Sequence, residues 1–146
     1  MAGESSQALP ATVLITGASR GLGRAMAQQY AAAGWRVIAC GRSRTPPIEG
    51  NIVPEALDVA NPASIPDLAR RLNGVAIDVL INNAGIRGDT GGLQTLEPGD
   101  FLEVMRINTL APLLVTRAAA QSCVRQAKNR CQYQQPCRLD RRGHAG

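Results

Sequence analysis

A short apolar segment that leads into a glycine-rich loop and then into a helix-forming segment constrains the fold most strongly. Ala11–Thr16 (ATVLIT) has the composition of a buried parallel strand. Thr16–Gly23 (TGASRGLG) follows directly, and Leu22–Gly34 (LGRAMAQQYAAAG) is Ala-rich with a glycine at its end, as a helix would be. This order predicts the first half of a βαβ unit.

The alternation of strand and helix continues downstream. Further strands are predicted at Arg36–Cys40, Ile52–Leu57 and Ala76–Asn82, and Gly- or Pro-rich loops over 41–50 and 85–99. Asn61 as N-cap and Pro62 as first helical residue predict a helix to about Leu72. Two more helices are predicted at Pro98–Met105 and from Asn108 to about Arg130. The pattern predicts an α/β fold, a parallel sheet with helices on both faces.

Length and composition favour one globular domain. The chain has 146 residues, of which 45% are hydrophobic and 18% charged. We expect a disordered tail over 1–10, a domain over 11–130 and an irregular segment over 131–146. No apolar stretch is long enough to cross a bilayer and the start lacks a signal-peptide layout, so we expect a cytoplasmic protein with no membrane partner. One Phe, one Trp and two Tyr argue against a base-stacking nucleic-acid surface.

The net charge of +5 comes entirely from the C-terminal segment. Residues 1–120 carry ten arginines and ten acidic residues, whereas residues 121–146 carry six basic residues and one acidic residue. One alternative is therefore a nucleic-acid-binding tail, although the neutral body argues against it, and we expect no nucleic-acid partner. The four cysteines form no CxxC pair and His144 is the only histidine, so no metal site is expected and the thiols are expected to be free.

The glycine loop is a candidate phosphate-binding site. Glycines allow the backbone to approach a phosphate, and the N-terminus of the following helix directs N–H groups and a positive dipole end at the anion. A glycine that merely ends a strand is the alternative. No GK[ST] follows the loop, which excludes a P-loop NTPase. The candidate binding residues are Gly17, Ser19, Arg20, Gly21, Leu22 and Gly23.

The loop and three further motifs resemble the short-chain dehydrogenase/reductase family in its shorter form, over about residues 10–130. The further motifs are Leu57-Asp58-Val59, Asn82-Asn83-Ala84-Gly85 and Arg106-Ile107-Asn108. The resemblance implies a Rossmann-like doubly wound sheet, here expected to be truncated after the fourth strand and the following helix. It also implies an enzyme that interconverts an alcohol and a carbonyl by hydride transfer, with a small-molecule substrate.

The same resemblance implies roles for single residues. Asp58, with Val59, lies where the family contacts the adenine ring of its cofactor. The cofactor is bordered by Asn83, Ala84 and Gly85. Asn108 matches the family's catalytic Asn, which holds a water in a proton relay; taken alone it could be an ordinary N-cap. The helix after Asn108 lies at a subunit contact in relatives, which implies a homo-oligomer.

Charge favours NADP(H) over NAD(H). An NAD-binding fold usually places an acid at the end of the second strand to bind the ribose hydroxyl. Here Gly41 and Arg42 occupy that place, and Arg20 lies in the glycine loop. Two guanidinium groups suit a 2′-phosphate, and in the resembling family basic residues at these places accompany NADP(H). The alternative is two solvated arginines.

The family's Tyr-x-x-x-Lys proton-transfer pair is missing. The one lysine, Lys128, has Val124 four residues before it.

Read one base later, a back-translation of CQYQQPCRLD permits Val-Asn-Ile-Ser-Ser-x-Ala-Gly-Ser-Ile, similar to the family's serine segment. We hypothesise a frameshift near Arg130, and expect negligible turnover, an uncovered fourth strand and a marginally stable, aggregation-prone chain. The alternative function is a non-catalytic dinucleotide-binding or regulatory module.

Overall fold

The computed structural model describes residues 9–43, 49–88 and 91–127, and of residues 122–127 the helical backbone alone. The strands are β1 (Thr12–Thr16), β2 (Arg36–Gly41), β3 (Ile52–Ala56) and β4 (Val79–Ile81). The helices are α1 (Gly21–Ala32), α2 (Ser64–Arg71), α3 (Pro98–Met105) and α4 (Ala111–Ala127), with a π-helical segment at Arg106–Leu110 between the last two. The predicted tail over 131–146 and most of that over 1–10 lie outside the described residues.

The four strands form one parallel sheet in the order β3-β2-β1-β4. The sheet therefore grows from β1 towards β3 and then returns to the opposite side of β1. In doubly wound sheets such a reversal opens a crevice at the carboxyl ends of the two strands that flank it, and ligands bind there. The described topology confirms the predicted α/β fold and places this crevice between β1 and β4.

Helices cover both faces of the sheet. Side chains alternate along β1, so that Leu14 faces α2 and α4 whereas Val13 and Ile15 face α1. On the first face the buried cluster contains Leu14, Ile38, Cys40, Leu57, Ile65, Leu68, Leu72 and Val115. On the second it contains Val13, Ile15, Ala18, Ala27, Val37 and Ala39. Burial on both faces explains the unbroken apolar runs over 13–15 in β1 and 37–40 in β2.

The two outer strands differ from the inner ones. Pro54 is tolerated in β3 because β3 lies at the edge of the sheet, where a missing N–H needs no ladder partner. The prediction of a strand over Ala76–Asn82 is wrong in length, since β4 has only three residues. The Asp78 carboxylate accepts the N–H of Thr12 at 2.7 Å, and a longer β4 would need that donor for its own ladder. Within the described ranges no strand pairs with the other edge of β4.

The predicted start of the second helix is wrong by two residues. Helix α2 begins at Ser64, with Ala63 as its N-cap. Asn61 instead closes a turn: its side-chain oxygen accepts the Ala63 N–H and its carbonyl accepts the Ser64 N–H, both at 3.0 Å. Pro62 lies within this turn and not in the first turn of the helix.

The third and fourth helices form a continuous rod and are not separated by a loop. The π-helical segment Arg106–Leu110 joins α3 to α4, and Asn108 lies in its middle. The alternative that Asn108 is an ordinary N-cap is therefore wrong. Such π-helical turns are rare and occur frequently at functional sites. The predicted extension of the last helix to Arg130 lies outside the described residues.

Candidate functional site

The candidate site residues follow the carboxyl ends of the four strands. Residues 17–20 follow β1, Arg42 follows β2, 57–60 follow β3 and 82–88 follow β4. Because the strands are parallel, all four segments leave the same edge of the sheet. The loops after β1 and β4 border the crevice, and the structure thus brings the sequence-predicted residues to one edge.

Thr16 and Asn83 connect the two loops that border the crevice. The backbone N–H groups of Asn83 and Ala84 both donate to Thr16 Oγ1, at 3.0 Å each. The side chain of Asn83 is a donor too, with Nδ2 bonded to the carbonyls of Thr16 at 3.0 Å and Gly17 at 3.1 Å. Thr16 is 2% exposed, so these bonds are shielded from water. They hold the glycine loop and the Asn82–Gly85 segment in a fixed relation.

Two glycines are required by close approach. Gly17 has a φ of +68°, and a Cβ at this position would lie 2.9 Å from the Ala84 Cα. A Cβ on Gly23 would lie 2.4 Å from the Gly17 carbonyl oxygen and 2.5 Å from Asn83 Nδ2. Helix α1 can therefore pack against the loop after β4 only if its third residue has no side chain.

The N-terminus of α1 is open. Its N-cap, Arg20, has an extended backbone and makes no side-chain cap, and the first turn contains no acidic residue. Gly21 and Leu22 are exposed, and a Cβ built on Gly21 would meet no atom within 4 Å. The N–H groups of the first turn and the positive end of the helix dipole are thus available to an anion from outside.

The two predicted phosphate-binding arginines follow residues that touch. The Ala18 N–H donates to the Cys40 carbonyl at 2.8 Å, and a Cβ built on Gly41 would lie 3.2 Å from the Ser19 Cβ. Arg20 and Arg42 each come one residue after this contact, and both are exposed. Neither makes an ion pair with another residue of the described part of the chain.

The loop after β3 has an ordered turn around Asp58. The Asp58 N–H donates to Ser64 Oγ at 2.9 Å, and Asp58 Oδ1 accepts the Ala60 N–H at 3.0 Å. Asp58 is half-buried. Val59, which the resemblance places beside the cofactor, packs its side chain against the cluster beneath α2 and α4. The side chain of Val59 thus anchors the loop.

Asn108 contacts the loop after β4. Its Oδ1 accepts the Ile86 N–H at 2.9 Å, and its Nδ2 donates to the Ile86 carbonyl at 2.8 Å. The side-chain amide of Asn108 thus binds both the N–H and the carbonyl of Ile86, much as a residue of a neighbouring β-strand would. One N–H of Nδ2 and one acceptor site of Oδ1 remain for a further partner.

Two residues that contact the loops of the site, Thr16 and Arg106, were not predicted as site residues from the sequence. Thr16 reads as the last residue of a strand, and only its polar hydroxyl at the entry to the glycine loop could have singled it out. Arg106 donates from Nη1 to the Ala60 carbonyl at 2.7 Å and forms a two-point ion pair with Glu103, at 2.8 and 2.6 Å. Hydrogen bonding to Arg106 lowers the pKa of Glu103, and hydrogen bonding to Glu103 raises the pKa of Arg106.

Other features lie away from this edge or beneath it. Cys40 is a buried free thiol whose pKa burial raises to about 12. An open groove of about 850 Å³ lies between α2 and α4, lined by apolar residues such as Ile65 and Leu114 with Arg117 among its polar ones. Within 9–43, 49–88 and 91–127 we find neither a helix suited to crossing a membrane nor a metal-binding group of His, Cys, Asp or Glu.

Comparison with known proteins agrees with this geometry. Residues 11–130 match the family model for short chain dehydrogenase. The short chain dehydrogenase tazN of Aspergillus terreus is 36% identical over 135 residues, covering 84% of this chain and 30% of that protein. Protein FixR of Bradyrhizobium diazoefficiens is 34% identical over 122 residues, covering 74% and 44% of the two chains.

Solved structures show the same similarity. A Burkholderia multivorans protein crystallised with bound NADP is 35% identical, with a TM-score of 0.69 over 78% of this chain and 54% of that one. A metagenomic short-chain oxidoreductase in complex with NADP is 28% identical, with a TM-score of 0.68 over 79% and 57%.

The chain spans between about a third and a half of the length of the curated relatives it matches. The shared segment contains the glycine loop, the Asn82–Gly85 segment and the π-helical segment with Asn108. Since that segment is also most of this chain, the protein belongs to the short chain dehydrogenase family.

Proposed function

We propose that this chain binds NADP(H), in preference to NAD(H), as the coenzyme-binding part of an oxidoreductase that interconverts an alcohol and a carbonyl. The observation that carries the proposal is the close approach of Ser19 and Gly41, the residues that directly precede Arg20 and Arg42, beside an uncapped helix N-terminus. Two similar structures were solved with NADP, which supports the same assignment.

The described residues fit such a coenzyme. The amides of residues 20–23 offer donors for a pyrophosphate, because no side chain of α1 occupies them. The exposed guanidinium groups of Arg20 and Arg42 carry no described ion pair, so a 2′-phosphate meets free positive charge. No acid occupies residues 41–43, where a carboxylate would repel that phosphate. Asp58 lies at the same edge of the sheet and would contact the adenine.

The coenzyme supplies a hydride when bound, and the chain's own residues orient it. Thr16 and Asn83 fix the crevice at which the glycine loop and the loop after β4 meet. Asn108 holds Ile86 and with it the Ala84–Gly85 segment that borders the reacting end. The substrate is a small carbonyl or alcohol compound.

A non-catalytic dinucleotide-binding module is the second candidate. The observations that favour it are the glycine loop and the uncapped N-terminus of α1, which suit a dinucleotide whether or not chemistry follows. In this alternative the 146-residue chain binds the coenzyme reversibly and does not turn over a substrate. Coenzyme binding without oxidation of NADPH in the presence of carbonyl compounds is its expected signature.

A homo-oligomer through the rod of α3 and α4 is part of the proposal. The outer surface of this rod exposes a series of large apolar side chains: Phe101, Leu102, Met105, Leu110 and Leu113. Exposed apolar surface of this extent is typical of an interaction site. A second copy of the same helix is the partner that the family resemblance suggests.

The proposal that Arg42 binds the 2′-phosphate is tested with two arginine variants, one at each end of β2. Arg42→Ser removes a charge at the carboxyl end of β2, and Arg36→Ser removes the same charge at its amino end, on the opposite edge of the sheet. We expect Arg42→Ser to weaken NADPH binding by about tenfold or more and to leave NADH binding unchanged. Arg36→Ser should change neither Kd, and equal effects of the two variants would refute the assignment.

A further inference from the structure

The loop over residues 57–60 is held by one bond within itself and by three residues outside it, Gly41, Ser64 and Arg106. The Leu57 N–H donates to the Gly41 carbonyl at 2.8 Å, and the Asp58 side chain closes the turn by accepting the Ala60 N–H. The Ala60 carbonyl, at the outer end of this turn, accepts from Arg106 Nη1 at 2.7 Å. Forty-six positions separate the two residues in sequence, so this bond joins the loop to a different element.

Glu103 determines the direction of the Arg106 guanidinium. Glu103 Oε2 and Oε1 accept from Nε and Nη2 of Arg106, at 2.8 and 2.6 Å. This two-point pairing fixes the plane of the guanidinium, so that Nη1 is the donor left to reach the Ala60 carbonyl. A lysine at position 106 has a single ammonium group and could not make the same three bonds with fixed geometry.

The charge of Arg106 also acts on the loop. Its pKa is raised first by Glu103 and further by the negative charge of Asp58, so the guanidinium and the Asp58 carboxylate attract one another. The hydrogen bond and this attraction both draw the loop towards the start of the π-helical segment. The side chains of Arg106 and Glu103 are 35% and 46% exposed, so water can reach their ion pair.

We propose that Arg106, oriented by Glu103, is a positioning residue that holds the loop 57–60 in the conformation that presents Asp58 to the adenine half of the coenzyme. This inference rests on the proposed coenzyme site and adds a residue to it. The π-helical segment then contacts two loops of the site: Arg106 contacts the loop after β3, and Asn108 contacts the loop after β4. Each half of the coenzyme has its own supporting side chain.

The test compares NADPH with adenosine 2′,5′-bisphosphate, which contains only the adenine half. Arg106→Met should weaken both ligands by the same factor, about tenfold or more, because the lost support lies at the adenine. Glu103→Gln should also weaken both ligands by one common factor, smaller than that of Arg106→Met. The affinities of Arg106→Lys should lie between those of Arg106→Met and the wild type. Asn108→Ala should weaken NADPH alone. The control Arg117→Met removes an exposed arginine of α4 that makes no ion pair in the described part.

Hydrogen exchange of the ligand-free protein gives an independent readout. Arg106→Met and Glu103→Gln should speed amide exchange over residues 57–61 and leave residues 82–86 as in the wild type. If Arg106→Met does not fold, Glu103→Gln decides the question on both readouts.

The outcomes separate the inference from the proposed function. Unchanged affinities in both variants, or a larger loss for NADPH than for the bisphosphate, would refute the positioning role while coenzyme binding stands. If the wild type binds neither ligand, the proposed function and the inference both fail.

Discussion

Asn83 donates two hydrogen bonds to Thr16 across the crevice between β1 and β4. The Asn83 N–H donates to Thr16 Oγ1, and Asn83 Nδ2 donates to the Thr16 carbonyl, both at 3.0 Å. Sixty-seven positions separate these residues in sequence. Their pairing joins the glycine loop to the loop after β4, and the geometry of the proposed coenzyme site depends on it.

Replacing Thr16 by valine tests this pairing. The change preserves the shape of the side chain but leaves the N–H groups of Asn83 and Ala84 without their acceptor. We expect the free energy of unfolding to fall by about 2 kcal/mol or more, measured by urea denaturation. Thr12→Val is the matched control at the other end of β1, since the bond of Thr12 to Asp78 uses the backbone N–H and survives the change. Similar losses for both variants would contradict the account.

Gly23→Ala tests the close packing of α1. The added Cβ would lie within 2.5 Å of both the Gly17 carbonyl oxygen and Asn83 Nδ2. We expect a loss of about 1–3 kcal/mol in stability together with weakened NADPH binding, because the glycine loop must move. In Gly99→Ala the new methyl group meets nothing within 4 Å and favours helix α3, so this control should be neutral or stabilising. Thermal melting and fluorescence titration measure both effects; an unaltered Gly23→Ala protein would refute the packing argument.

The general fold was predictable because strands buried on both faces are continuously apolar. Residues 13–15 and 37–40 show this directly, and the glycines after β1 predicted the loop. The ends of elements were not predictable, because distant partners set them. Strand β4 begins only after Asp78, whose carboxylate binds the Thr12 N–H. The roles of Thr16 and Arg106 depend on loops 67 and 46 positions away. No local periodicity encodes such contacts.

The Cys40 thiol predicts a pH dependence of stability. Burial, with a smaller contribution from Glu55, raises its pKa from 9.0 to about 12. A pKa raised by folding stabilises the protein fully below pH 9, and this contribution is lost as the pH rises towards 12. We expect the wild type to lose about 2 kcal/mol relative to Cys40→Ala between pH 8 and 10.5. Urea denaturation of both proteins measures the difference; parallel pH profiles would show that the thiol is not buried.

Self-association should depend on the outer surface of α3 and α4. Leu102 and Leu113 are 66% and 64% exposed, and a glutamate at either position would place a charge in the proposed contact. We expect Leu102→Glu and Leu113→Glu to lower the molar mass measured by light scattering. Ala32→Glu adds the same charge at an exposed site on α1 and should leave the mass unchanged. A monomeric wild type would rule out this contact.

Titration of the wild-type chain with NADPH and with NADH tests the central claim most directly. The fluorescence of the bound reduced nicotinamide reports both Kd values on one sample at one ionic strength. The open N-terminus of α1 and the exposed guanidinium groups of Arg20 and Arg42 predict that NADPH binds at least about tenfold more tightly than NADH. Equal affinities for the two coenzymes, or no binding of either, would contradict it.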